Sequence, residues 1–490
     1  MQCAGSQCAH YYLSTMMKAN GGWHRAATPR RARLLKLALA AVALILAAAC
    51  GAPAAPVTDP GRPNLDAVVV SMDYGVPDGS EVYSIGYTYA NASGNRYFSG
   101  TGGLGTDELS SASVRFEVSG FVDIPMWLTA AIHPDGGAVW VVTGVDGKSV
   151  AFRTGLYGEG AGHILIDFPL ETFSLSPPIL VIGKSGQVGL TTTRAVDGLD
   201  TLLPGARIEF IEDGAGNGNL RITRGDRSST ISVRNAPDAT FMIGSDSTLY
   251  SYVISTDRYP HGAIGDQNEW GAVTAIPVAD GAGASLLLLN DDDVFEGLYP
   301  ILADFDGDGV EEIIGTVSNR TGGARLIVIE NGKTGMRIAA ESEPIGTAFR
   351  WTHQVAVAPF GPNGEMELAT IRTPHIGGVA EFYRLSDRKL ERVASLSGGY
   401  SSHVNGSRNL DMAVAGDFDG DGNVELLVPS RNRLSLVALR RSGESAEEVW
   451  ELWLGSPLAT NLAGVVLPDG SDGRIILGAV TRDGELLIWQ

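Results

Sequence analysis

Two segments of this chain are almost copies of one another. Asp304-Phe305-Asp306-Gly307-Asp308-Gly309-Val310-Glu311-Glu312-Ile313-Ile314 returns as Asp417-Phe418-Asp419-Gly420-Asp421-Gly422-Asn423-Val424-Glu425-Leu426-Leu427, 113 residues later. Midway lies a decayed copy, Pro359-Phe360-Gly361-Pro362-Asn363-Gly364-Glu365-Met366-Glu367-Leu368-Ala369. It starts 55 residues after the first and 58 before the second. A weaker fourth copy, Leu467-Pro468-Asp469-Gly470-Ser471-Asp472-Gly473-Arg474-Ile475, follows about 50 residues on. A fixed internal period means one supersecondary unit repeated, each copy burying its apolar face against its neighbours. Apolar runs such as Met412–Ala415 flank each copy, so each loop joins two adjacent strands. The period has the length of one four-stranded sheet.

The remaining texture agrees. From Leu65 onward there is no convincing amphipathic helix. Runs of four to nine β-prone residues end at Gly, Asp, Asn or Pro, as in Asp66–Ser71, Val139–Thr143, Ile179–Gly183, Leu286–Leu289, Leu326–Glu330 and Ile475–Val480. Glycine is 63 of 490 residues, nearly double the usual ~7%. Such spacing suits a sandwich, a solenoid or a propeller, and the repeat decides for the last. A second phrase, an apolar pair, glycine and a polar turn, recurs at Val142–Gly147, Val181–Gly186, Met242–Tyr250 and Val480–Trp489. It is hairpin chemistry and extends the repeat reading into the first half of the chain.

The paired Asp-Phe-Asp-Gly-Asp-Gly segments and their spacing resemble the FG-GAP/VCBS family of calcium-binding β-propellers. The resemblance is clear over about 297–490. It implies an all-β ring of about seven four-stranded blades. Residues 65–490 divide into seven units of about 61 or, in the alternative, eight of about 53. Pro277–Leu286 could be a further decayed loop, but it lies half a blade out of register.

The loops suit calcium on chemical grounds. Ca²⁺ takes six to eight oxygens, and alternate residues of a tight loop can turn toward one point. Asp304, Asp306 and Asp308, the Val310 carbonyl and Glu312 form one ligand set. Asp417, Asp419, Asp421, the Asn423 carbonyl and Glu425 form the second. Gly307 and Gly309 permit the sharp turns. An EF-hand needs a glutamate at position twelve and flanking helices; Gly315 and Val428 stand there instead. Four carboxylates within nine residues repel one another without a cation. The copy at Pro359 keeps Glu367 alone of the set, and the Leu467 copy has Asp469 and Asp472 at altered spacing. Two Ca²⁺ sites are therefore expected, with a structural role. Asp213–Asn219 reads as a plain turn.

The first 49 residues read as a lipoprotein signal peptide. Arg25–Lys36 is basic, and Leu37–Ala49 is 13 apolar residues, too short for a bilayer but right for a signal core. Ala47-Ala48-Ala49-Cys50 resembles a lipobox, with Ala47 where leucine is usual, so lipidation is expected at Cys50. Cleavage after an Ala-x-Ala site is the alternative. Met16 or Met17 can serve as the start. Residues 50–64, rich in Pro and Ala, read as a tether, and 65–490 as the propeller. Cys3 and Cys8 precede Cys50, so the body has no disulfide.

Charge narrows the partners. Six of the 36 basic residues and none of the 56 acidic ones precede Cys50, which leaves a net charge of −26 for the rest. This argues against nucleic acid and against a polybasic membrane surface. No nucleophile elbow, P-loop or zinc motif occurs. His133, His163, His261, His353, His375 and His403 lack zinc spacing and read as turn or surface residues. Arg224-Gly225-Asp226 reads as a chance tripeptide and Asn290–Asp293 as a solvated turn. Trp351, Tyr400, Trp450, Trp453 and Trp489 suit blade packing better than a sugar-binding face. The expectation is a monomeric, non-enzymatic binding or scaffold module for a protein or glycan, lipid-anchored to the outer face of a bacterial membrane. The alternative is a polysaccharide lyase or hydrolase with acid and base groups in the central channel.

Overall fold

Strand sequences divide into two kinds, and the division places them. Runs such as Val294–Ala303 and Thr352–Ala358 are buried at every residue. Lys389–Ser397 and Ser445–Trp453 bury only part of their residues and carry Lys, Arg or Glu on exposed positions. The first kind can only be interior strands and the second the rims of sheets, where charge discourages edge pairing. The computed structural model describes residues 75–104, 112, 114–155, 160–167, 177–193, 198–203, 205–212, 218–232, 240–278, 283–468 and 473–490. The signal peptide, tether, Cys50 and Asp66–Ser71 lie outside them.

The described strands form seven blades in a ring. Blade 1 is Pro125–Ile132, Ala138–Gly144, Lys148–Thr154 and Gly160–Asp167, an antiparallel meander. Blade 3 is Met242–Ile243, Thr248–Thr256, Glu269–Pro277 and Ser285–Leu288. Blade 4 is Val294–Ala303, Glu312–Asn319, Gly323–Gly332 and Gly335–Glu341. Blade 5 is Thr352–Ala358, Glu367–Arg372, Val379–Ser386 and Lys389–Ser397. Blade 6 is Val414–Asp417, Glu425–Pro429, Ser435–Ser442 and Ser445–Trp453.

Blade 7 closes the ring. Ala463–Leu467, Arg474–Val480 and Glu485–Trp489 are joined by Val114–Glu117 from the other end of the body, with Val114 opposite Ile488 and Glu117 opposite Glu485. Blade 2 departs from the four-stranded expectation. Ile179–Gly183 and Val188–Thr191 pair with Val82–Gly86 in a three-stranded sheet. A separate three-stranded meander, Arg207–Glu212, Gly218–Arg224 and Arg227–Ser232, follows. The described helix is one five-residue turn at Gly198–Leu202 and a 3-10 turn at Gly79–Glu81.

The centre of the ring is filled by the chain's own arm, Val82–Thr101. Along its length it bonds to all seven blades. Ser84 Oγ donates to the Ile132 carbonyl at 2.5 Å, and Val82–Gly86 pairs with blade 2. The Ala92 carbonyl accepts from Ile243 N at 2.8 Å, and the Ser93 carbonyl from Leu302 N at 2.9 Å. The Asn95 side chain bonds both the carbonyl and the N–H of Val357, each at 2.9 Å. Tyr97–Thr101 then runs parallel to Val414–Asp417, and Thr101 pairs with Arg474.

One buried ion pair fastens the arm. Arg96 Nε meets Asp411 Oδ1 at 2.5 Å, both side chains 2% exposed. Arg96 also donates to the Gln354 and Val355 carbonyls and to Tyr299 Oη, at 3.2, 3.1 and 3.0 Å. Tyr299 in turn donates to Asp411 at 2.5 Å. A charge with a partner at each of its three guanidinium nitrogens has what a buried pair needs to offset its desolvation cost.

Candidate metal centres

The four repeat copies occupy one structural position, between the first and second strands of blades 4, 5, 6 and 7. The two Asp-rich loops therefore stand two blades apart with the Pro359 loop between them, as their spacing predicts. The second phrase does not mark one position. It turns between strands two and three in blades 1 and 7, but between one and two in blades 2 and 3.

Each Asp-rich loop is wound by its own first aspartate. Asp304 accepts from Gly307 N and Gly309 N at 2.8 and 3.1 Å. Asp417 accepts from Gly420 N and Gly422 N at the same distances. All four glycines have φ between 77° and 89°, a region closed to most side chains. The glutamate at position nine reaches back across the loop. Glu312 accepts from Phe305 N at 2.8 Å and Glu425 from Phe418 N at 3.0 Å. Val310 leaves its apolar side chain 55% exposed, as a position used through its carbonyl allows.

The oxygens converge, with differences. One carboxylate oxygen each of Asp304, Asp306 and Asp308 lie within 4.8 Å of one another. In the second loop the converging set is Asp417, Asp419 and Glu425. Asp421 turns outward to Arg440 instead, so each loop brings together three of its four predicted carboxylates, the first without Glu312 and the second without Asp421. Burial pushes the Glu312 carboxyl up to about 7, with Asp306 and Asp308 adding to it. Burial likewise pushes Glu425 up to about 8, with Asp419, Asp417 and Asp421 adding.

The decayed loop supplies the control. Glu367 occupies the same ninth position and is fully buried. It is met by Arg441 Nε at 2.8 Å and Arg384 Nη2 at 2.6 Å. Neither Glu312 nor Glu425 has an ion-pair partner among the described residues. Glu425 Oε1 is buried with no hydrogen-bond partner at all. A buried acceptor without a partner costs about 1–3 kcal/mol, more when charged, so these residues fit a cation. Hard carboxylate oxygens select Ca²⁺ over softer ions. A bound ion would be held by the loop aspartates and the ninth glutamate and would supply the positive charge that Arg441 gives the loop without one. In the fourth copy, residues 469–472 lie outside the described residues.

Other predicted residues are redistributed. Trp351, Tyr400 and Trp489 are buried as packing groups. Trp450 donates to Asp419 at 3.0 Å, and Trp453 is 60% exposed. In the Asn290–Asp293 turn, Asp293 is buried and pairs with Arg325 at 2.9 Å. Arg224-Gly225-Asp226 forms the tip of a hairpin in the meander after blade 2.

The histidines correct the surface reading. His353 and His403 are each 1% exposed and His133 is 5% exposed. The His403 ring centroid lies 5.3 Å from that of His353 and 4.4 Å from that of His375. Trp351 packs against His353 and His403 at 4.9 and 4.8 Å. His261 Nδ1 sits 2.5 Å from the buried Glu296. Sequence spacing carries no sign of this gathering, because the residues come from one strand and separate loops.

No family model and no curated protein matches the sequence. Among solved structures, the chain is similar to one in "Crystal Structure of Mitotic Checkpoint Complex", with 12% identity and a TM-score of 0.39 over 79% of this chain and 96% of that one. It is also similar to Saccharomyces cerevisiae Sqt1, with 11% identity and a TM-score of 0.43 over 78% of this chain and 99% of that one. The propeller architecture rests on the strand pairing itself.

Proposed function

We propose that this chain is a calcium-stabilised propeller of FG-GAP/VCBS type. It is carried on a lipidated Cys50 at the outer face of a bacterial membrane, as a non-enzymatic binding or scaffold module for a protein or glycan. The observation that carries the calcium reading is the contrast at position nine. Glu367 has two arginines, whereas among the described residues Glu312 and Glu425 have none and Glu425 keeps an orphaned oxygen. The ion ties the loop to its blade and adds stability by mass action.

The binding role is supported by the filled centre. The groups that an enzyme would display in the channel, Arg96, Asp411 and Tyr299, are spent on one another and sealed from solvent. Function then falls to the loops around the rims.

Calorimetric titration of the chelated protein should count two Ca²⁺ ions, and a count of zero overturns the calcium reading. Cys50→Ser should move the protein from the membrane fraction to the soluble one. A glycan and protein array, read with and without chelator, tests the binding role. Turnover of a polysaccharide on that array would replace it with the lyase or hydrolase alternative.

A further inference from the structure

A second cluster lies at the opposite end of the blades from the acidic loops. His353 is at the start of the first strand of blade 5, whereas the repeat loop follows that strand's far end. His375 lies in the turn Thr373–Gly378, between the second and third strands of the same blade. His403 lies in the connection from blade 5 to blade 6.

Their hydrogen bonding is one-sided. Ser402 Oγ stands 2.9 Å from His353 Nδ1 and 3.1 Å from His403 Nδ1, so one hydroxyl orients both rings. The Nε2 atoms of His403 and His375 are buried and have no partner. Trp351 walls the cluster and also leaves its Nε1 unpartnered. Burial holds all three imidazoles below the usual histidine range, His375 at about 4. The nearby Arg96 acts in the same direction on His353 and His403. A neutral ring held at Nδ1 and bare at Nε2, as His403 is here, is the form in which histidine binds metal.

A fold that sets unpaired, dry imidazoles side by side pays for each one. Four imidazoles of this chain lie in this region, and the fourth, His261, is the one whose Nδ1 is accounted for by a carboxylate. We propose that His353, His375 and His403 form a site for a borderline divalent metal ion of the Zn²⁺ class, separate from the calcium loops. As the rings stand, their nitrogens do not all lie within 4.8 Å of one another. Ligation by all three rings requires His375 to shift inward on the turn Thr373–Gly378 that carries it. Imidazole nitrogen suits Zn²⁺, Cu²⁺ or Ni²⁺ and not Ca²⁺.

The test is a titration of the full-length protein in detergent with Ca²⁺ saturating, using Zn²⁺ by calorimetry and Co²⁺ by visible absorption. One Zn²⁺ per chain is expected, with a Co²⁺ ligand-field spectrum that Zn²⁺ abolishes. His375→Gln should weaken Zn²⁺ binding at least about tenfold while the Ca²⁺ count stays unchanged, and Asp306→Ala should leave Zn²⁺ binding intact. His403→Gln is read beside it, but burial of His403 can make that variant unfold, so the half-buried His375 decides. No Zn²⁺ binding, or Zn²⁺ affinity indifferent to His375→Gln, overturns the proposal.

Discussion

The loops Asp304–Glu312 and Asp417–Glu425 share nearly the same residues and internal hydrogen bonds, yet they differ in what they are fastened to. The first projects outward. Its link to the preceding blade is Glu311, which accepts from Ser245 N at 2.8 Å. The second is clasped by the central arm. Gly102 N donates to the Asp417 carbonyl and Leu104 N to the Phe418 carbonyl, both at 2.7 Å. Asp419 is held by Trp450 and Asp421 by Arg440. Asp417 is accordingly buried where Asp304 is half-exposed. The same carboxylate pattern thus has unequal weight. An ion in the first loop would stiffen one hairpin, while an ion in the second would stiffen the join between blade 6 and the arm that threads the ring.

Four substitutions probe that inequality. Arg441→Met should do the most damage, because it leaves Glu367 buried with its fully buried cation gone and only the partly exposed Arg384 beside it. A loss of about 3–5 kcal/mol is expected from breaking a buried pair, and thermal unfolding should show it equally with and without Ca²⁺. Glu425→Gln should cost less and only with Ca²⁺ present. The ion's contribution, about 2.7 kcal/mol at a hundred times its dissociation constant, disappears. The chelated protein should be no less stable than before, since a neutral amide replaces a carboxyl that burial already disfavours as an anion. A variant equally destabilised in chelator would break the comparison.

Asp306→Ala should remove one ion from the calorimetric count and lower the melting temperature by less than Glu425→Gln does. An equal or larger fall would show that the clasp adds nothing. Trp450→Phe should be the mildest, about 1 kcal/mol for one hydrogen bond, and should weaken Ca²⁺ at the second loop alone. Two-site titrations of this variant and of Asp306→Ala would show whether the sites are independent.

The parts legible in the sequence are those whose cause is local. An Asp-x-Asp-x-Asp-Gly loop carries its ligands, its glycine turns and its flanking strands within twelve residues, so the loop, its position in the blade and its period can be read together. Closure of the ring was legible in outline, but its strand was not. The partner of Glu485–Trp489 is Val114–Glu117, a short run with nothing to mark it as the missing fourth strand. Blade 2 hid for a similar reason, since its third strand comes from nearly a hundred residues upstream. The arm and the histidine cluster were invisible because each exists only through contacts that the fold makes. Arg96 has an ordinary sequence neighbourhood, and its reason for being is Asp411. His353 sits on a strand and His375 and His403 on two different connections, so no spacing rule could join them.

The threaded arm also sets a timetable. Thr101 must wait for Gly473 and Arg474, 372 and 373 residues later, and Val114–Glu117 must wait for the strand Glu485–Trp489. Contacts so distant are slow to form and leave unpaired edges meanwhile. A chain delivered amino end first therefore holds Arg96 as an unmatched charge, with its lock unmade, until Asp411 arrives. The blades can assemble one by one, but the ring cannot become a ring until delivery is nearly complete. On the proposed route across a membrane the chain would travel as an unfinished circle, and the same arm that gives the folded body its centre would be its longest-standing exposure on the way.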